Sequence, residues 1–184
     1  MFREPSVETI SSVGCSQQDE QFVDVRHHQT ILTRASNFLC GRVLTDVTLV
    51  AGDISLPCHR LILAANSDYF SAMFTGGMVE QNMETVEIQG VEGAALKQLV
   101  DYCYTGKLCL QEDTVENITV AACLLQLPTV IEACCAFFKK LLHPSNCIGI
   151  RLFADAQSCL KLRDTARQYT EDNFLEVVKN LIIA

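Results

Sequence analysis

The strongest constraint on the fold lies between Leu44 and Ala65, where two short apolar alternations run straight into a helix with almost no polar face. Val47 and Leu49 alternate with Thr48 and Val50, as a strand requires. Gly52-Asp53 supplies a turn, and Ile54 and Leu56 alternate in a return strand. Pro57 is expected to end that strand, because it has no N–H to give to a ladder. Leu61, Ile62, Ala64 and Ala65 then form a helix that must be buried.

Before this unit, residues 1–25 are rich in Ser, Gln, Glu and Asp, carry no lasting period and read as a flexible tail. Within it, Gln21–Val25 makes a strand only if another chain or sheet edge accepts it. From His27 a helical period appears, with Ile31, Ala35, Phe38 and Leu39 at i, i+4, i+7 and i+8. Gly41 is expected to stop this helix from the C′ position. The helix precedes the first strand, so its apolar stripe needs a surface to cover it. A homodimer built on Ile31, Ala35, Phe38 and Leu39 meets that need.

After the hairpin, Ser67 is placed to cap a helix whose Phe70, Met73 and Phe74 share one face, and Gly76-Gly77 breaks it. Met78 to Thr85 reads as a polar loop. Val86 and Ile88 flank Glu87 in a short strand. Leu96, Leu99, Val100 and Cys103 recur at helical spacing up to Thr105-Gly106, and Leu108 and Leu110 suggest one more strand. Val115 to Leu127 is an apolar helix, and Pro128 suits the first turn of its successor. That helix turns Ile131, Cys134, Cys135, Phe138, Leu141 and Leu142 inward, with Lys139 and Lys140 near its C-terminus. His143-Pro144 marks a boundary. Ser145 is placed to cap a helix with Ile148, Leu152 and Phe153, and a last helix carries Leu162, Ala166, Tyr169, Phe174, Val177 and Val178. Two such helices scarcely make a core alone, so they are expected to lean on the preceding domain.

Composition narrows the function. The chain has 184 residues, 49% hydrophobic, with net charge −8, enough for one compact domain and part of a second. No run approaches the ~20 apolar residues of a membrane span, and no signal peptide is read at Met1–Pro5. The acidic balance argues against a nucleic-acid partner, the longest basic run being Lys139-Lys140. Ten cysteines form no C-x-x-C pair and mostly sit in apolar helical patterns. They read as reduced, buried thiols of a cytoplasmic protein, with the nucleus as the alternative. No cofactor or metal is expected.

Few residues offer chemistry. Cys58-His59 are adjacent at a helix start and do not face each other, so His59 reads as a locally hydrogen-bonded residue rather than a catalytic base. His27-His28 lack partners at metal-ligand spacing, and Asn117-Ile118-Thr119 is a glycosylation sequon without a secretory context. No phosphate-binding glycine loop and no G-x-S-x-G is present, so an enzyme is not expected. Asp46 and Arg60 are charges in otherwise apolar elements; either each faces water at an element end, or each is buried with a partner. Met78-Val79-Glu80 follows a helix ended by two glycines and reads either as a solvated loop or as an exposed apolar knob beside a charge.

In order, Leu44–Asp53, Ile54–Ala65, Ser67–Phe70, Met73–Gly77 and Tyr102–Gly106 resemble a BTB/POZ domain, and specifically the kelch-like adaptors of cullin-3 ubiquitin ligases. The resemblance covers about residues 26–180. It implies an α+β fold: a short mixed sheet flanked by a cluster of helices, with the BTB/POZ domain over residues 26–142. His143–Ala156 looks like the start of a BACK domain, so residues 143–184 are read as its first helices, truncated. The resemblance places Asp46 and Arg60 in a pocket at the dimer interface. It also implies a cullin-facing surface made of Met78, Glu80 and Tyr104, since Met78-x-Glu80 fits the family's hydrophobic-x-Glu motif. The implied partners are a second copy, related BTB proteins and cullin-3. The alternative is a self-association module of a cytoskeletal or transcriptional scaffold without cullin binding. No kelch propeller is read in these residues, and Leu181–Ala184 departs from the family pattern. A chain of this kind is expected to compete with full-length relatives for the ligase.

Overall fold

The computed structural model describes residues 22–183; of the tail expected at residues 1–25, residues 1–21 lie outside them. Residues 22–25 carry no strand. Helix α1 (His27–Cys40) begins where Asp24 gathers the chain, accepting from the Arg26 N–H at 3.0 Å through Oδ1 and from the His27 N–H at 3.1 Å through its carbonyl. It ends in a Schellman motif. The Val43 N–H donates to the Phe38 carbonyl at 2.8 Å, and the Arg42 N–H donates to that of Leu39 at 3.0 Å. The left-handed residue of this motif is Arg42 (φ 52°), whereas Gly41 is right-handed (φ −82°). The glycine is therefore one place early for the stop expected of it.

The sheet has three strands in the order β2-β1-β3. Strand β1 (Val47–Ala51) is central, and its Val47, Leu49 and Ala51 are buried. Strand β2 (Ile54–Cys58) pairs with it antiparallel, and β3 (Thr85–Glu87) pairs with it parallel, so the sheet is mixed. Pro57 does not end β2: it lies opposite Thr48, and the strand runs on to Cys58. An edge strand tolerates proline because one side of it has no ladder to supply.

Helices α2 (Arg60–Asn66) and α3 (Asp68–Thr75) fill the crossover from β2 to β3. Ser67 joins them. Its hydroxyl accepts from the Phe70 N–H at 3.2 Å and donates to the Leu125 carbonyl at 2.5 Å, capping α3 while tying it to a distant turn. Helices α4 (Gly93–Thr105), α5 (Val115–Leu124) and α6 (Pro128–Leu141) complete the cluster. Leu108 and Leu110 form no strand; they lie in irregular chain, partly buried against the core.

Helices α7 (Cys147–Ala156), α8 (Leu160–Asp172) and α9 (Phe174–Ile183) follow. Asn146, not Ser145, stands before α7; its Oδ1 accepts from the His143 N–H at 2.8 Å and its Nδ2 donates to the Leu141 carbonyl at 2.8 Å. The single last helix expected is two, broken at Asn173 (φ −114°). Leu152 faces solvent. One continuous core runs from β1 to α8, and it takes in Ile150, Ala154, Leu162 and Ala166. The later helices do lean on the first domain. The Phe138 and Phe153 rings meet there at 5.8 Å, Lys161 pairs with Glu132, and the Cys135 and Cys159 thiols lie 3.6 Å apart.

Candidate functional site

Helix α3 ends on two glycines whose positions do not suit a larger residue. A Cβ at Gly76 would stand 2.4 Å from the Ala72 carbonyl oxygen, and Gly77 has φ +74°. The chain leaves as Met78, then makes one 3-10 turn over Val79–Asn82. The loop expected at Met78–Thr85 therefore has an ordered centre. Met78 is 52% exposed and Val79 77% exposed, so two apolar side chains stand out from the surface. Glu80 is half-buried between them and α3. No cation among the described residues pairs with its carboxylate. Burial, and then the negative charge of Glu80, push the Tyr69 phenol above its ordinary pKa.

The turn is held from beneath by Arg60, the first residue of α2. Its Nη1 donates to the Glu80 carbonyl at 3.2 Å and its Nη2 to the Met83 carbonyl at 2.6 Å. Its Nε donates to the Asp46 carbonyl at 3.2 Å, and its backbone N–H donates to Asp46 Oδ1 at 2.7 Å. The guanidinium sits 4.9 Å above the centre of the Phe74 ring, which stacks in turn on Phe70. Asp46 is exposed and Arg60 half-buried, and each bonds the other through a main-chain group, so neither is the buried charge that one reading offered. Their bonds within the chain serve the loop.

Tyr104 is not on the surface expected of it. It is 1% exposed, because the end of α4 packs beneath α2 and the α1–β1 connection. Its hydroxyl accepts from the His59 N–H at 2.9 Å and lies 2.8 Å from His59 Nδ1. An oxygen that accepts from the backbone has its own proton left to give to Nδ1, so Nε2 carries the ring proton and donates to the Val43 carbonyl at 2.8 Å. The ring and N–H of His59 are thus bonded long-range, while its carbonyl accepts locally from the Ile62 and Leu63 N–H groups at 3.1 and 3.2 Å, as expected at a helix start. Burial pushes the Tyr104 phenol well above its ordinary range and the neighbouring Cys58 and Cys103 thiols up to about 12. Thiols held protonated in this way are poor nucleophiles.

The α1 stripe divides. Ala35 and Leu39 pack on the chain's own core, while Ile31 is 51% and Phe38 42% exposed. No residue of α1 is fully buried. Among the described residues, no group of three or more His, Cys, Asp and Glu side chains is arranged to hold a metal, and no helix is long and apolar enough to cross a membrane. Six of the nine described cysteines are buried, and all nine are free.

Comparison with known proteins agrees with this architecture. The BTB/POZ domain model matches residues 35–142, and the model described as BTB And C-terminal Kelch matches residues 147–181. The chain is 47% identical over 170 residues to Kelch-like protein 1 of Mus musculus, covering 92% of this chain and 23% of that protein. It is 48% identical over 168 residues to Kelch-like protein 4 of Homo sapiens, covering 91% of this chain and 23% of that one. It is 47% identical over 178 residues to human Kelch-like protein 5, covering 95% and 24%. Among solved structures, the BTB domain of zebrafish PATZ1 superposes with a TM-score of 0.61 at 25% identity, over 66% of this chain and 99% of that one. The chain belongs to the kelch-like BTB–BACK family. It spans about a quarter of the length of these kelch-like relatives.

Proposed function

We propose that this chain is a non-catalytic, self-associating adaptor module that docks cullin-3 through the turn bearing Met78 and Glu80, and so joins a ubiquitin ligase in the cytoplasm or nucleus. The observation that carries the reading is an exposed Met78 beside a Glu80 that no cation among the described residues pairs with, on a turn whose main chain is already fixed. A partner meeting such a turn orders little on binding, which leaves more of the contact energy as affinity. Ile31 and Phe38 supply the apolar surface for a second copy. Calorimetric titration with the cullin-3 N-terminal domain tests the docking. Binding that is lost with Met78→Ala and Glu80→Ala supports it, and undiminished binding removes it.

A self-association module without cullin binding is the second reading. The burial of Tyr104 favours it, since that takes one implied docking residue off the surface. Under this reading the unmutated chain forms dimers and gives no heat with cullin-3.

A further inference from the structure

The 3-10 turn Val79–Asn82 has no buried residue, so apolar packing does not hold it in place. At its two ends it is closed by long bonds, Gln81 N–H to the Met78 carbonyl and Met83 N–H to the Glu80 carbonyl, both at 3.2 Å. Bonds of this length at the ends of an exposed single turn would leave it to fray. What remains is the Arg60 fork, which reaches the carbonyls of Glu80 and Met83 with different nitrogens while its Nε is held by Asp46. The hold is on main-chain atoms, so the Glu80 carboxylate and the Met78 side chain stay available. The guanidinium sits over Phe74, whose ring stacks on Phe70 in α3, the helix from which the turn departs.

We propose that Arg60 is the positioning residue of the Met78–Met83 turn: it sets the conformation in which Met78 and Glu80 meet a partner, and makes no contact with that partner itself. The effect on binding rests on the cullin-docking reading above; the effect on the turn does not. A planar fork is required, because one ammonium cannot reach the carbonyls of Asp46, Glu80 and Met83 together along the fixed directions that three nitrogens supply. Lysine is therefore not a conservative replacement at this position.

The test uses the dimeric chain with isotope-labelled methionine methyls, comparing the parent with Arg60→Lys and Arg60→Gln. The proposal expects the Met78 and Met83 resonances to shift and sharpen in both variants, while that of buried Met73 holds its place. Dimer mass is expected to stay unchanged. Affinity for the cullin-3 N-terminal domain is expected to fall about tenfold, roughly one charge-assisted hydrogen bond. Added to Met78→Ala/Glu80→Ala, Arg60→Lys should cost nothing more, because a residue that acts only through the turn has nothing left to act on. Parent-like methyl spectra in Arg60→Lys would overturn the proposal, showing that charge alone suffices. A full further loss on the double-variant background would overturn it too, showing a direct contact. Unfolding of both variants would mark Arg60 as a core requirement instead, again against the proposal. If Met78→Ala/Glu80→Ala leaves cullin-3 binding intact, the docking reading fails by itself, and the methyl spectra still decide whether Arg60 holds the turn.

Discussion

The outer face of α1 and the Met78–Met83 turn are the two exposed apolar surfaces of this domain with residues expected to bind. They are supported in opposite ways. Helix α1 is held by burial, with Ala35 and Leu39 spent on the core and Ile31 and Phe38 left outside. The turn has no fully buried residue and is held by hydrogen bonds from one arginine. Hydrophobic contact is non-directional and scales with area, so the helix suits a broad, self-complementary face. Hydrogen bonds are directional, so the turn suits a narrow site where one knob must arrive at one place. The difference teaches that a single helical stripe can serve core and surface at once, and that an exposed loop can be rigid without a core.

If that contrast is right, the two surfaces should fail separately. The largest effect is expected from Phe38→Asp, which places an unpartnered charge in an interface at a cost of several kcal/mol. The light-scattering mass at micromolar concentration should drop from dimer to monomer, with cullin-3 binding per monomer kept. A monomeric parent would end the dimer reading. Next, Met78→Ala should cost about 2 kcal/mol of cullin-3 affinity, a loss of some thirtyfold, with dimer mass and melting temperature unchanged.

A third test loosens both surfaces together. They stand on the layer that contains Cys58 and Cys103, whose thiols are held up to about 12 from an ordinary value of 9.0. Above about pH 9 the unfolded chain gives up these protons while the folded chain keeps them. Stability is therefore whole below pH 9 and falls as pH rises toward 12, by at most about 1.4 kcal/mol per pH unit for each thiol. Melting temperatures should be flat from pH 7 to 8.5 and then decline, and Cys103→Ala should flatten the decline. An equal decline in that variant would exclude this cause.

The smallest effect should leave both surfaces alone. Gln126 holds φ 52° at the end of α5, where the Leu127 N–H donates to the Ala122 carbonyl at 3.0 Å. Gln126→Gly relieves a left-handed strain and should stabilise by about 0.5–1 kcal/mol, with dimerisation and docking unmoved. Denaturant midpoints measure it.

Much of this was legible in the order of residues. The alternation at Val47–Val50, the turn at Gly52-Asp53 and the apolar run after His59 are local signals, and local signals set local elements. The Ser67 cap and the Gly76-Gly77 stop were legible for the same reason. Boundaries were less so. Gly41 drew the expected stop, but Arg42 took the left-handed place, because the Schellman geometry depends on where the last turn closes and not on where the glycine sits. The strand expected at Leu108 and Leu110 has the right residues and no neighbouring strand within the described chain.

The sequence by itself determined the α+β pattern, which rests on spacing between near neighbours that the chain carries without folding, and it carried the family through the resemblance of its ordered segments from Leu44 to Gly106. That Met78 stands out as an exposed knob beside Glu80 was decided by the fold. Only the tertiary structure decided that Tyr104 is a buried brace for His59 and not a surface contact, since burial depends on what α2 and the α1–β1 connection lay over it. Only it decided that Arg60 serves the turn. The guanidinium and the carbonyls it holds are 20 and 23 residues apart, and no local period links them. They meet because the crossover from β2 through α3 to β3 returns the chain to the side of the sheet where α2 begins.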